Sequence, residues 1–178
     1  MKRFGIVALA CMIGAAQAEV TVAAQDRLAV KEAVHIAAPP ARVYAALIRP
    51  GRWWGSAHSF SGNAANMNLE ARAGGCWCEK LADGGSAEHM RVVLVEPGKL
   101  LRLRGALGPF QALAADGVMT VKLAPKDGGT DVIATYDLFG AIDGGFAAMA
   151  PTVDGVLSEQ FARLKRLAET GSPDATAK

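Results

Sequence analysis

The chain predicts an α+β domain in which successive antiparallel strands pack on one long C-terminal helix, and three observations predict it. From Pro151 to Glu169, Val153, Val156, Leu157, Phe161, Leu164, Leu167 and Ala168 recur at steps of three and four, with Asp154, Ser158, Glu159, Arg163, Lys165 and Arg166 opposite. Between Leu28 and Phe139, short stretches of alternating apolar and polar residues are separated by Gly- and Pro-containing turns, the pattern of strands with one buried face. With 178 residues, 51% hydrophobic and 20% charged, the chain is long enough for one sizeable core and too apolar to stay disordered. Burying the apolar face of the helix is worth roughly 10–15 kcal/mol gross, at about 1.5–3 per large side chain. The strands must therefore supply a concave apolar surface, and a sheet that curves round a helix leaves room for a cavity.

Taken in order, the chain opens on Lys2 and Arg3, an apolar run from Phe4 to Ala16, and Ala16-Gln17-Ala18, a small-x-small cleavage pattern. Residues 1–18 are expected to be a secretory signal peptide, too short to span a bilayer, which predicts a periplasmic or secreted protein with no stable membrane insertion after cleavage. Residues 19–27 read as a polar lead and 28–170 as the domain. The first strand is Leu28 to Ile36, where Leu28, Val30, Val34 and Ile36 alternate with Ala29, Lys31, Ala33 and His35. Pro39-Pro40 stops it and starts a short helix, Ala41 to Ile48, burying Val43, Tyr44, Leu47 and Ile48. Arg52 to Asn66, with Trp53, Trp54, His58 and Phe60 among Gly, Ser and Asn, reads as a second short helix plus loop.

Strands follow at Met67 to Ala71, Cys76 to Leu81, Glu88 to Val95, Lys99 to Leu103, Val118 to Leu123 and Thr130 to Phe139. Asp83-Gly84-Gly85-Ser86, Pro97-Gly98 and Lys126-Asp127-Gly128-Gly129 mark hairpins. Gly105 to Gly117 is a long connection, either a lid or mouth or a strand bulged at Gly108. Gly171 caps the last helix, and 171–178 reads as a flexible tail.

Removing Lys2 and Arg3 balances the 19 basic residues against 17 acidic ones, and the basic residues are scattered, so no nucleic-acid partner is expected. No phosphate loop, nucleophile elbow or histidine metal motif occurs, so no cofactor and no metal are expected.

The order of strand, two short helices, six strands and a long helix, together with VHIAAPPARVYAAL (Val34 to Leu47), RAGGCWCE (Arg72 to Glu79), VEPGKLLRL (Val95 to Leu103) and TVDGVLSEQFARLK (Thr152 to Lys165), resembles the START-related, birch-pollen-allergen-like superfamily (SRPBCC). That superfamily includes polyketide cyclases, lipid-transfer domains and heat-shock-protein ATPase activator homologues. GGCWCE with HMRVV and GALGPF is similar to an uncharacterised exported branch. The resemblance implies a helix-grip fold: a curved seven-stranded antiparallel sheet wrapped around the C-terminal helix, with two short helices between strands 1 and 2, enclosing an apolar pocket. It carries over no reaction, because the fold hosts carriers, cyclases and partner-binding modules alike.

Strand parity orients the side chains. Val132, Ala134, Tyr136 and Leu138 should face inward, as should Trp77, Glu79 and Leu81 opposite Cys76, Cys78 and Lys80. A carboxylate in an apolar pocket would have a raised pKa and could act as acid or base; the alternative places Glu79 at the rim, paired with Arg91 or Arg102. Trp53 and Trp54, adjacent in the chain, cannot both line a cavity. The residues expected at a ligand are Trp54, His58, Trp77, Glu79, Met119, Tyr136 and Phe161, with Glu79, Tyr136 and His89 the catalytic candidates if the domain is an enzyme. Cys76 and Cys78 stand roughly 6.6 Å apart on an ideal strand, near the upper limit for a disulfide, so a bond needs strain or a bulge beside Gly74-Gly75. Reduced thiols, or a metal held with His89 or His58, are the alternatives. The leading reading is a binding protein for a hydrophobic or amphipathic small molecule. A cyclase- or dehydratase-type enzyme and a partner-binding module are its rivals.

Overall fold

The computed structural model describes residues 17–175, so the expected signal peptide falls almost wholly outside the described residues. Eight antiparallel strands form one sheet: β1 (Gln17–Ala23), β2 (Arg27–Ile36), β3 (Met67–Leu69), β4 (Cys76–Lys80), β5 (Ser86–Glu96), β6 (Leu100–Arg104), β7 (Ala114–Lys126) and β8 (Gly129–Ala141). Their order is β1-β2-β8-β7-β6-β5-β4-β3. Two helices complete the fold, α1 (Pro40–Leu47) and α2 (Ala150–Thr170). The sheet curves around α2, which packs on β1, β2 and α1 and buries Val153, Leu157, Phe161, Leu164, Leu167 and Ala168, with Val156 half-buried. At its end Gly171 takes φ 89° and donates its N–H to Leu167 O, the left-handed cap its sequence position predicts.

The sheet has one strand more than expected. Most of the stretch read as a polar lead is β1, an edge strand paired Glu19↔Lys31 and Val20↔Val30. Val20 and Val22 alternate with Glu19 and Thr21, but the run is short and its side chains from Glu19 to Ala23 are exposed or half-buried; the free edge of β2 recruits it through backbone hydrogen bonds. A second helix after α1 does not form. Three short 3-10 turns, Pro50–Arg52, Ser56–His58 and Ala64–Asn66, take its place. Here side chains compete for the backbone: Ser56 Oγ accepts from Ala64 N–H and Asn63 Oδ1 from Ala65 N–H.

Gly105 to Gly117 is not a single loop. A 3-10 turn, Gly108–Ala112, intervenes, and β7 resumes at Ala114. The tail is tied back as far as residue 174, because Arg166 Nε donates to Pro173 O at 2.6 Å and Arg163 pairs with Asp174 at 2.8 Å. Among the described residues, no helix is long and apolar enough to cross a membrane.

Candidate functional site

Between the concave sheet, α2 and the turns after α1 lies a cavity of about 400 Å³, within the range of small-molecule sites. Trp54, Phe60 and Phe110 supply aromatic lining, and Val153 and Leu157 of α2, with Met149 just before it, supply aliphatic lining. Leu107 to Phe110 contribute to the wall. Phe110 is anchored against Phe146, with ring centroids 5.9 Å apart. Polar groups on the lining are few: His58, Ser59, His89, Tyr136 and Thr152. His58 Nε2 lies 3.4 Å from Glu159 Oε2, joining the Ser56–His58 turn to α2.

His89 owes its position to a β-bulge. Trp77 pairs with Met90 and Cys78 with Glu88, leaving His89 as an extra residue on β5. Alternation is broken there, and His89 and Met90 are both buried on the inner face. Behind His89 stands Glu79, 1% exposed, whose Oε2 is 2.8 Å from His89 Nε2. Glu79 also accepts from Phe60 N–H at 3.0 Å and Ser61 N–H at 2.6 Å. Burial alone would raise its pKa, but the hydrogen bonds from Ser61, Phe60 and His89 outweigh burial and lower it. This corrects the expectation of a raised pKa, and the rim alternative fails too: Arg91 pairs with Glu88, while Arg102 donates to Thr120 Oγ1. An anionic Glu79 can only accept, so His89 donates to it from Nε2. The imidazole stacks on Phe60, with centroids 5.5 Å apart.

Tyr136 lines the cavity with its ring, but its hydroxyl is occupied, donating to Gly105 O at 3.3 Å and accepting from Leu107 N–H at 2.8 Å. Burial raises its pKa further, so Tyr136 shapes the wall rather than supplying a proton. The ring fits because residue 117 is glycine; a Cβ there would stand 2.8 Å from Tyr136 Cε2.

Of the residues expected at a ligand, Trp54, His58 and Tyr136 line the cavity, and Glu79 stands behind His89. Trp77, Met119 and Phe161 do not. They pack with Trp53, Leu103 and Val121 around a void of about 10 Å³, too small for any ligand. They face inward as parity requires, but the cavity occupies only one end of the inner face, and α2 fills the other. Of the two adjacent tryptophans only Trp54 reaches the cavity; Trp53 lies in the core, its centroid 6.2 Å from that of Phe161.

A buried acid on β2 stands outside the expectations above. Glu32 continues the inward series Leu28, Val30, Val34 and Ile36, is 1% exposed, and has neither carboxylate oxygen hydrogen-bonded among the described residues. Burial, and then repulsion from Asp154 on α2, push its pKa up to about 7. The signal was in the sequence, since a glutamate interrupts an otherwise apolar face of β2.

Cys76 and Cys78 form a disulfide on the outer face of β4, with Cα atoms 5.3 Å apart. Among the described residues, Cys76, Cys78 and Glu88 are the one group whose ligand atoms could surround a metal, but the bond engages both sulfurs. His89 and His58 lie toward the cavity, on the other side of the sheet, and cannot join them.

Residues 27–169 match the family model described as polyketide cyclase / dehydrase and lipid transport. Solved structures similar to the chain include protein CV1439 of Chromobacterium violaceum, at 23% identity and TM-score 0.55 over 79% of this chain and 96% of that one. The Aha1 dimer of Colwellia psychrerythraea is similar at 16% identity and TM-score 0.56, covering 80% and 97%. Ara h 8.0201 is similar at 12% identity and TM-score 0.54, covering 80% and 95%. At these identities the likeness shows the helix-grip fold. Among curated proteins, none matches.

Proposed function

The chain belongs to the polyketide cyclase / dehydrase and lipid transport family, and we propose that it is an exported binding protein for a hydrophobic or amphipathic small molecule held between the sheet and α2. The cavity of about 400 Å³ carries this reading, because its wall is aromatic and aliphatic with a few polar groups placed to orient a guest. Export is supported by the leader pattern of residues 1–18. Thermal unfolding in the presence of fatty acids, sterols and aromatic polyketides tests the binding. A ligand at 100 times its Kd adds about 2.7 kcal/mol and raises Tm by roughly 5–11 °C for a domain of this size. Absence of any shift across the panel, with native mass spectrometry showing an empty protein from its source, would sink the proposal. The denatured mass of the same sample tests whether residues 1–18 are removed.

The Glu79–His89 pair favours a second reading, acid–base catalysis in the same cavity. Glu79 accepts from Nε2 and orients His89, whose neutral form can accept a proton at Nδ1 from a bound substrate. Glu79→Gln should then lower turnover while leaving ligand affinity nearly unchanged. Equal loss of both would leave the pair a structural element of the wall.

A further inference from the structure

The Cys76–Cys78 disulfide is poorly placed to act as a staple. Both cysteines lie on β4, so the bond ties no two elements together, and closing a loop of three residues removes little entropy from the unfolded chain. Yet it sits at a sensitive point. The register shift that inserts His89 falls between Trp77 and Cys78, so the bond spans the strand directly opposite the bulge. It holds the two Cα atoms at 5.3 Å, where a regular strand would put them roughly 6.6 Å apart. On the inner face of the same residues, Trp77 packs edge-on to Trp54, with centroids 5.0 Å apart, and Glu79 holds His89. Both cysteines are half-buried and open to the outer face. Beside them, Arg91 is the cross-strand partner of Cys76 and donates to Glu88, whose Oε2 lies 3.9 Å from Cys76 Sγ.

We propose that Cys76 and Cys78 are a thiol–disulfide exchange site, opened by a thiol or dithiol reductant, whose redox state is transmitted through β4 to Trp77, Glu79 and the bulged His89. A donor thiolate attacks one sulfur; the S–S bond breaks as a donor–cysteine disulfide forms, and the other cysteine leaves as a thiolate that takes a proton from water. A second donor thiol attacks the mixed disulfide, releasing the second cysteine and the donor as its own disulfide. Two electrons and two protons pass to the protein. Glu88 Oε2, 3.9 Å from Cys76 Sγ, can accept a hydrogen bond once that sulfur is protonated. With the bond open, β4 can extend towards regular spacing and shift Trp77 and Glu79. The exchange is independent of the ligand-binding proposal; only an effect on affinity would rest on it.

The test equilibrates the folded full chain with reduced and oxidised dithiothreitol in defined ratios, quenches with acid, alkylates, and maps the label to the peptide Ala73–Lys80. Circular dichroism and tryptophan emission are read on the same samples. The expected result is double alkylation of that peptide with the far-ultraviolet spectrum intact and the emission altered, both reversed by oxidised dithiothreitol. The Cys76→Ser/Cys78→Ser variant should show no redox-dependent emission. With oxidised glutathione added, each single variant should carry one glutathione adduct on the Ala73–Lys80 peptide. Alkylation that appears only when the protein unfolds, or thiols that oxidised dithiothreitol fails to close, would overturn the exchange site. Exchange with unchanged tryptophan emission would overturn its transmission to the cavity. If the double variant does not fold, the wild-type titration decides both points.

Discussion

Glu32→Gln removes a buried charge that has no hydrogen-bond partner among the described residues, and the effect should depend on pH in a defined direction. The folded-state pKa rises from an ordinary 4.5 to about 7, so between these values the folded protein holds a proton that the unfolded chain has released. Stability from this group is therefore complete below about pH 4.5 and is lost as pH rises through about 7. The gap corresponds to about 3 kcal/mol at pH 8. Glutamine mimics the protonated acid in shape and burial, so the variant should match wild type at pH 4.5 and exceed it by up to about 3 kcal/mol at pH 8. In Tm that is roughly 6–12 °C. Urea unfolding followed by circular dichroism at pH 4.5, 6 and 8 measures it. Asp154 on α2 is the charged neighbour that raises the Glu32 pKa, and Asp154→Asn should recover the smaller, repulsive part of the gain. A variant that keeps the wild-type slope between pH 4.5 and 8, or is less stable than wild type at pH 8, would refute the assignment of an ionised, unpaired Glu32.

The Glu79–His89 pair should act in the opposite sense. The lowered pKa of Glu79 supplies stability present above about 4.5 and lost on acidification, and Glu79→Gln should cost about 3 kcal/mol near neutral pH, read by the same unfolding curves. Tyr136→Phe leaves the Leu107 N–H without its acceptor and should cost about 1–2 kcal/mol while ligand affinity changes less than threefold by titration calorimetry. Val156→Trp, at a half-buried position on the cavity wall, should fill the space and abolish ligand-induced Tm shifts with the circular dichroism spectrum retained. Gly117→Ala should displace the Tyr136 ring and destabilise by about 1–3 kcal/mol, which thermal unfolding would register.

By itself the sequence determined the layers of this protein. The three-and-four spacing of Val153 to Ala168 specified α2, and alternation along β2 and β8 specified which face is buried, because these periods are set by local backbone geometry. Turn residues likewise placed the hairpins close to where they occur. The tertiary structure alone decided the site. His89 turns inward only because β5 carries one more residue than β4 between their paired positions, and a bulge is a property of two strands in register. Whether an inward residue meets cavity or core depends on how far α2 fills the concave face; hence Tyr136 lines the pocket while Trp77 and Phe161 do not. The direction of the Glu79 pKa shift was settled chiefly by Ser61 and Phe60, 18 and 19 positions earlier in the chain, whose N–H groups the fold aims at its carboxylate. Pairing, bulges and the filling of space are long-range outcomes, and they separate the residues that could do chemistry from those that hold the container together.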